Sequence, residues 1–214
     1  MLLTAKHESN MVEPQLRPIL DTIRNQVIRN GQVNLTFDHL AQSGTVDIPT
    51  LIRHVNTPEE LVDYLFDYEL EKFSNIVADI SEELNAIDTM LQVSKRISEK
   101  FGDFFPSVSP QLKLLYPQAW QRQFEKRLDF ISGSLRRNLN TGIAQGMYRS
   151  DLSTELIARL YLARMIDIHN PELFPPESFS FEVLFAQAFE SLIRSIATAE
   201  GLAYFIERKK HYHI

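Results

Sequence analysis

Leu35-Thr36-Phe37-Asp38-His39-Leu40-Ala41-Gln42-Ser43-Gly44-Thr45-Val46-Asp47-Ile48-Pro49-Thr50-Leu51-Ile52-Arg53-His54-Val55-Asn56-Thr57-Pro58-Glu59-Glu60-Leu61 is the stretch on which the reading of this chain turns. It holds two very short helical segments. Thr36 can cap the first, Phe37 to about Gln42, and Asp47 the second, Ile48 to about Val55, because short side-chain oxygens accept otherwise orphaned backbone N–H groups. Thr57-Pro58-Glu59-Glu60 then opens a longer helix with a capping residue, Pro at the first position and Glu at the third, running to about Asp79. Upstream, a helix starting near Pro14 or Pro18 carries Leu16, Leu20, Ile23 and Val27 on one face and stops at Gly31. Two short capped helices joined by a tight turn, after one longer helix and before another, form a helix-turn-helix, in which the second short helix enters the DNA major groove. The competing reading is a packed three-helix unit without a binding role.

Working outward, apolar residues recur at a 3.6-residue period, and seven glycines in 214 residues leave no serious strand candidate. Helices are predicted near 81–101, 110–116, 118–145, 152–168 and 179–200, with Pro- or Gly-containing joints at 102–110, 146–151 and 170–178. In the longest, Trp120, Phe124, Leu128, Ile131, Leu135, Leu139 and Ile143 form one stripe. The fold class is all-α, with about nine helices. A 44% apolar composition suffices for a core, and cysteine is absent, which excludes disulfides and suits a reducing, cytoplasmic home. The first residues turn polar too soon for a signal peptide, and no apolar run approaches the roughly 18 residues of a membrane span.

The net charge of −6 is unevenly spread. Residues 1–56 hold five basic and five acidic side chains, residues 57–83 one and nine, and residues 84–214 sixteen and fourteen. The acidic stretch 59–83 reads as a solvent-facing helix stripe that would repel DNA if turned toward it.

Residues 35–61 resemble, without a gap, the TetR-family signature F-T-x-x-x-I-A-x-x-A-G-V-S-x-x-T-L-Y-x-H-F-x-S-K-E-E-L. Identities fall at Thr36, Ala41, Val46, Thr50, Leu51, His54, Glu59, Glu60 and Leu61, with conservative replacements at Leu35, Leu40, Val55 and Thr57. Asn138 to Asp151 looks like that family's joint before its penultimate helix. The resemblance implies a three-helix DNA-binding domain over 1–56, a larger helical domain for effector binding and dimerisation over 57–205, and a tail at 206–214. It further implies a transcriptional regulator, in the repressor sense, that binds double-stranded operator DNA as a homodimer and is released by an unknown small-molecule effector, with no membrane and no cofactor. The alternative is a helical dimeric ligand- or protein-binding module whose DNA binding is weak or lost.

By the same resemblance Thr36, Asp47, Ile48, Pro49, Thr50, Arg53, His54 and Thr57 form the DNA-binding set. Ile48 and Pro49, presented to base edges, can contact thymine methyls but cannot make the bidentate guanine contact of an arginine. The chain departs from the signature at Thr45, where the family has Gly, at Ile52 for Tyr and at Pro58 for Lys; the last two remove phosphate-contacting groups. Within residues 36–61 only Arg53 is a fixed cation, against Asp38, Asp47, Glu59 and Glu60. Lys6, Arg17, Arg24 and Arg29 could add contacts, but the count predicts weak electrostatic affinity.

The resemblance pairs helices 152–168 and 179–200 with those of a second subunit, through Leu156, Leu160, Ala163, Leu184, Ala188, Leu192 and Ile196; the alternative buries this face within the subunit. Candidate effector contacts are Met90, Phe101, Phe105, Tyr116, Trp120, Phe124, Phe130, Met165 and His169, although each aromatic or Met at helical spacing reads better as plain core, and His169 as a capping or surface residue. His211 and His213 lack a third ligand and make no strong metal site. No nucleophile elbow, phosphate loop, His-Glu-x-x-His or paired Glu-x-x-His occurs, so the sequence predicts no enzyme.

Overall fold

The computed structural model describes residues 12–30, 34–80, 83–101, 111–168 and 170–212, without the side chains of 28–30, 100 and 101. Among these the chain is all-helical: α1 Arg17–Asn30, α2 Phe37–Gln42, α3 Ile48–Leu51, α4 Pro58–Ala78, α5 Ala86–Phe101, α6 111–115, α7 Pro117–Ala144, α8 Thr154–Asp167, α9 Phe181–Ile196 and α10 Ala199–Tyr212. No described helix is long and apolar enough to cross a membrane.

The residues divide into two compact units, one of 1–75 with 107–124, the other of 76–106 with 125–214. The helix-turn-helix therefore shares its unit with most of α4, with α6 and with the start of α7, rather than ending at residue 56. The predicted α1 stripe is the heart of this first unit: Leu16, Leu20, Ile23 and Val27 are buried, as are Leu40, Leu51, Val55, Leu61 and Leu65.

In the second unit α5 packs against α9 and α10, and α8 against α9. The core joins Ile87 and Leu91 of α5, Leu135 and Leu139 of α7, and Phe189, Ile193 and Ile196 of α9 with Phe205 of α10. Local capping sets the helix ends. The hydroxyls of Ser153 and Ser180 accept from Leu156 and Val183 N–H, which start α8 and α9. The helix predicted from 81 starts only at Ala86, because the Asn85 side chain accepts from Asp88 N–H at 2.9 Å.

The helix predicted over 179–200 is two helices, and the tail predicted over 206–214 is helical through Tyr212. The break comes from a long-range pairing. Thr198 N–H donates to Met147 carbonyl at 3.0 Å and Arg149 N–H to Ile196 carbonyl at 2.9 Å, an isolated bridge that pulls Ala197 into extended backbone. Thr198 then restarts the chain as a cap, its hydroxyl accepting from Gly201 N–H at 3.0 Å. Gly201 permits this close approach, since a Cβ there would stand 2.1 Å from Met147 O.

Candidate nucleic-acid interface

The turn between α2 and α3 is built around Gly44, whose φ of +66° lies in the left-handed region that glycine adopts without steric cost. Its N–H donates to Ala41 carbonyl at 3.1 Å. The glycine that the turn requires is thus one position earlier than the signature has it, and Thr45 needs no unusual backbone. The hydroxyls of Thr45 and Ser43 instead accept from the Gln26 side-chain amide, which fastens the turn to α1.

Asp47 caps α3 as predicted, accepting from Thr50 N–H at 3.1 Å. Hydrogen bonds from Thr50, with a smaller contribution from the Arg53 charge, hold its carboxyl below the ordinary range. Arg53, exposed and two residues past the end of α3, donates from Nη2 to Thr50 Oγ1 at 2.7 Å. Leu51 and Val55 are fully buried and anchor the segment, Ile48 and Thr50 are half-buried, Pro49 is exposed, and Ile52 is 52% exposed.

The flanking candidates behave differently. Thr36 ends the extended segment before α2 but makes no capping bond; its hydroxyl donates to Asn34 Oδ1 at 2.8 Å instead. Thr57 caps α4 by accepting from Glu60 N–H at 3.1 Å, and Glu60 reaches back to Asn56 N–H at 2.7 Å. His54 is half-buried, its Nδ1 2.9 Å from Glu13 Oε2, so one ring nitrogen is already engaged within the chain.

Sequence reasoning missed what happens to the cations of α1. Arg17 pairs with Glu71 at 2.5 Å, Arg24 with Glu69 at 2.8 Å, and Asp21 with Lys72 at 2.7 Å and Tyr68 hydroxyl at 2.8 Å. The acidic helix predicted to face solvent is, over this turn, a partner for α1. Glu69 is only 2% exposed. Burial pushes its carboxyl above the ordinary range in spite of Arg24 and Lys72. Burial also raises Asp21, but the hydrogen bonds from Lys72 and Tyr68 outweigh it and hold that carboxyl low. Burial and the bond to Asp21 push the Tyr68 hydroxyl up to about 12. The available signal was complementary spacing: Arg17, Asp21 and Arg24 on α1 against Tyr68, Glu69, Glu71 and Lys72 on α4.

The remaining candidates are only partly gathered. Tyr116, Trp120 and Phe124 lie in the first unit. Tyr116 hydroxyl accepts from Leu35 N–H at 3.4 Å, and Trp120 meets Phe66 edge-on at 5.6 Å and stacks on Phe124 at 6.1 Å. Tyr116 is buried there and Trp120 and Phe124 are half-buried, whereas Met90, Phe130 and Met165 belong to the second unit. Met90 sits in that unit's core, and Phe130 and Met165 are half-buried. The side chains of Phe101, Phe105 and His169 lie outside the described residues. Of the predicted pairing face, Ala188, Leu192 and Ile196 are buried in the chain's own core, because their stripe on α9 packs toward α5 and α10. Leu184 is half-buried, Ala163 is exposed, and Leu156 and Leu160 stand 55% and 59% exposed.

No protein-family model matches the chain, and no curated protein matches it in sequence. Its fold, however, is that of the TetR-family regulators. It is similar to the reduced form of Escherichia coli NemR, at 15% identity over 86% of this chain and 98% of that one, with a TM-score of 0.67. A TetR-family transcriptional regulator from Agrobacterium tumefaciens aligns at 14% identity over 86% and 98%, TM-score 0.64. A transcriptional regulator from Saccharomonospora viridis in complex with choline aligns at 15% identity over 85% and 97%, TM-score 0.66.

Proposed function

We propose that this chain is a TetR-like transcriptional regulator that binds operator DNA as a homodimer, represses, and is released by a small-molecule effector. The observation that carries the proposal is α3 itself: a short capped helix, anchored from behind by Leu51 and Val55, that presents Pro49 and Ile52 to solvent after a glycine turn. Structural likeness to regulators of transcription supports the same class. DNA contact belongs in this reading to Thr36, Asp47, Ile48, Pro49, Thr50, Arg53, His54 and Thr57, and self-association to the exposed Leu156, Leu160 and Ala163. An effector, for which the choline-bound neighbour gives a precedent of kind only, belongs to the second unit near Met90 and Met165. Fluorescence anisotropy with duplex DNA from upstream of its own gene, at low and moderate salt, tests the proposal. Preference for one segment over scrambled duplex supports it; no sequence preference even at low salt overturns it.

A second reading, a helical binding module with weak or lost DNA binding, is favoured by one observation: Arg17 and Arg24 are paired with Glu71 and Glu69 and so withdrawn from phosphate contact. The same titration separates the two.

A further inference from the structure

We infer that α3 reads DNA through thymine methyl groups, so that the operator half-site is A·T-rich where this helix docks. The inference rests on the regulator reading and adds the chemistry of the sequence it selects. At about 100° per residue, Ile48, Pro49 and Ile52 fall within one arc of roughly 100°. Leu51, outside that arc, is fully buried, whereas Pro49 is exposed and Ile52 is 52% exposed. Ile52 is the residue that caps the C-terminal end of α3; its backbone keeps the right-handed helical conformation, and its N–H donates to Ile48 carbonyl at 3.0 Å.

The side-chain oxygens beside this arc are already engaged, and the exposed Arg53 keeps its other N–H groups for the phosphates. Asp47 is bound to Thr50 N–H, and the Thr50 hydroxyl to Arg53. What this arc offers the base edges is therefore an apolar ridge of three side chains. In the major groove the apolar group on a base edge is the C5 methyl of thymine; guanine, cytosine and adenine present hydrogen-bonding groups there. Laid against a G·C step, the ridge would strip water from O6, N7 or N4 without replacing its hydrogen bonds, which disfavours that step. Laid against thymines, it buries methyl on methyl.

The test uses the full chain. Selection from random duplex DNA at low salt is expected to enrich sites with thymines on the step facing α3. Replacing those thymines by deoxyuridine, which removes only the methyl, is expected to weaken binding about fourfold per methyl, the worth of one buried methyl group. In the Ile52→Ala protein, whose folding is checked by circular dichroism, deoxyuridine substitution at the position read by Ile52 is expected to cost nothing further. Enriched sites that are insensitive to deoxyuridine, or that consist of G·C steps, overturn the inference and leave the regulator reading standing. Failure to enrich any sequence overturns the regulator reading itself.

Discussion

Replacing Arg24 by Met separates a structural role of α1's cations from a DNA-binding one. Arg24 and Glu69 are 17% and 2% exposed and 2.8 Å apart, with Lys72 Nζ 3.6 Å from the same carboxylate oxygen. Methionine keeps most of the volume of the arginine stem but leaves the Glu69 carboxylate buried beside Lys72 alone. Breaking a buried pair by removing one partner costs about 3–5 kcal/mol, and the surviving lysine places Arg24→Met near about 3. A double variant, Arg24→Met with Glu69→Met, is expected to recover most of that loss, because a buried ion pair is often no better than well-packed apolar groups. The pH dependence has a defined sign. Glu69 is raised in the folded chain and rises further without Arg24, so the folded state holds the proton more tightly than the unfolded one. Its destabilisation is therefore fully present above the folded value and fades as pH falls toward the ordinary carboxylate value of 4.5. Urea unfolding followed by far-ultraviolet circular dichroism, near neutrality and near about pH 5, reads both effects at fixed protein concentration. A cost below about 1 kcal/mol that does not shrink on acidification would refute the compensating role of Arg24.

Gly201→Ala drives a Cβ to within 2.1 Å of Met147 O, and with backbone on both sides it should cost about 1–3 kcal/mol or more in thermal or urea unfolding. Asp88→Ala removes the buried acceptor of Tyr204 hydroxyl and Arg208 Nε, with an expected loss of about 2–3 kcal/mol measured the same way. Arg53→Ala should reduce the slope of log affinity against log salt by about one if the guanidinium meets a phosphate; an unchanged slope assigns Arg53 to its bond with Thr50 alone. Leu156→Glu with Leu160→Glu should leave a folded monomer by light scattering at micromolar concentration, and a dimer that survives both places the subunit contact elsewhere.

Most of the helices were legible because their signals are written locally: α1 and α7 follow from the stripes Leu16-Leu20-Ile23-Val27 and Trp120 to Ile143, and α4 from its Thr57-Pro58-Glu59-Glu60 start. What escaped depended on residues far apart in the chain. Nothing local announces that Met147 and Thr198 pair, so 179–200 reads as one helix when it is two. Tyr116 looks like a pocket aromatic until its hydroxyl is found on Leu35 N–H. Ala188, Leu192 and Ile196 have the spacing of a pairing face, but periodicity shows only that a face is apolar, not which neighbour covers it. The candidate interface was legible in its two short helices and the Asp47 cap, although α3 ends at Leu51 and not near Val55. The glycine shift to Gly44 and the commitment of Arg17, Arg24 and His54 to carboxylates required the geometry.

Those commitments bear on how such an acidic chain would discriminate among DNA sequences. Non-specific affinity comes almost wholly from phosphate contacts, and specific affinity adds to it whatever the base edges contribute. Two arginines that would have served the first are paired inside the unit with Glu71 and Glu69, which leaves the exposed Arg53, just past α3, to carry that attraction. The general attraction is lowered, whereas the apolar ridge of Ile48, Pro49 and Ile52, which has no charge to lose, keeps its contribution. The expected consequence is low affinity for arbitrary duplex and a shallow dependence on salt, so that a larger share of whatever binding occurs is specific. In a genome, where competing sites number in the millions, the ratio of specific to non-specific affinity governs occupancy more than either alone. Pairing Arg17 and Arg24 with carboxylates is then compatible with a working regulator, provided that the ridge finds methyl groups to cover.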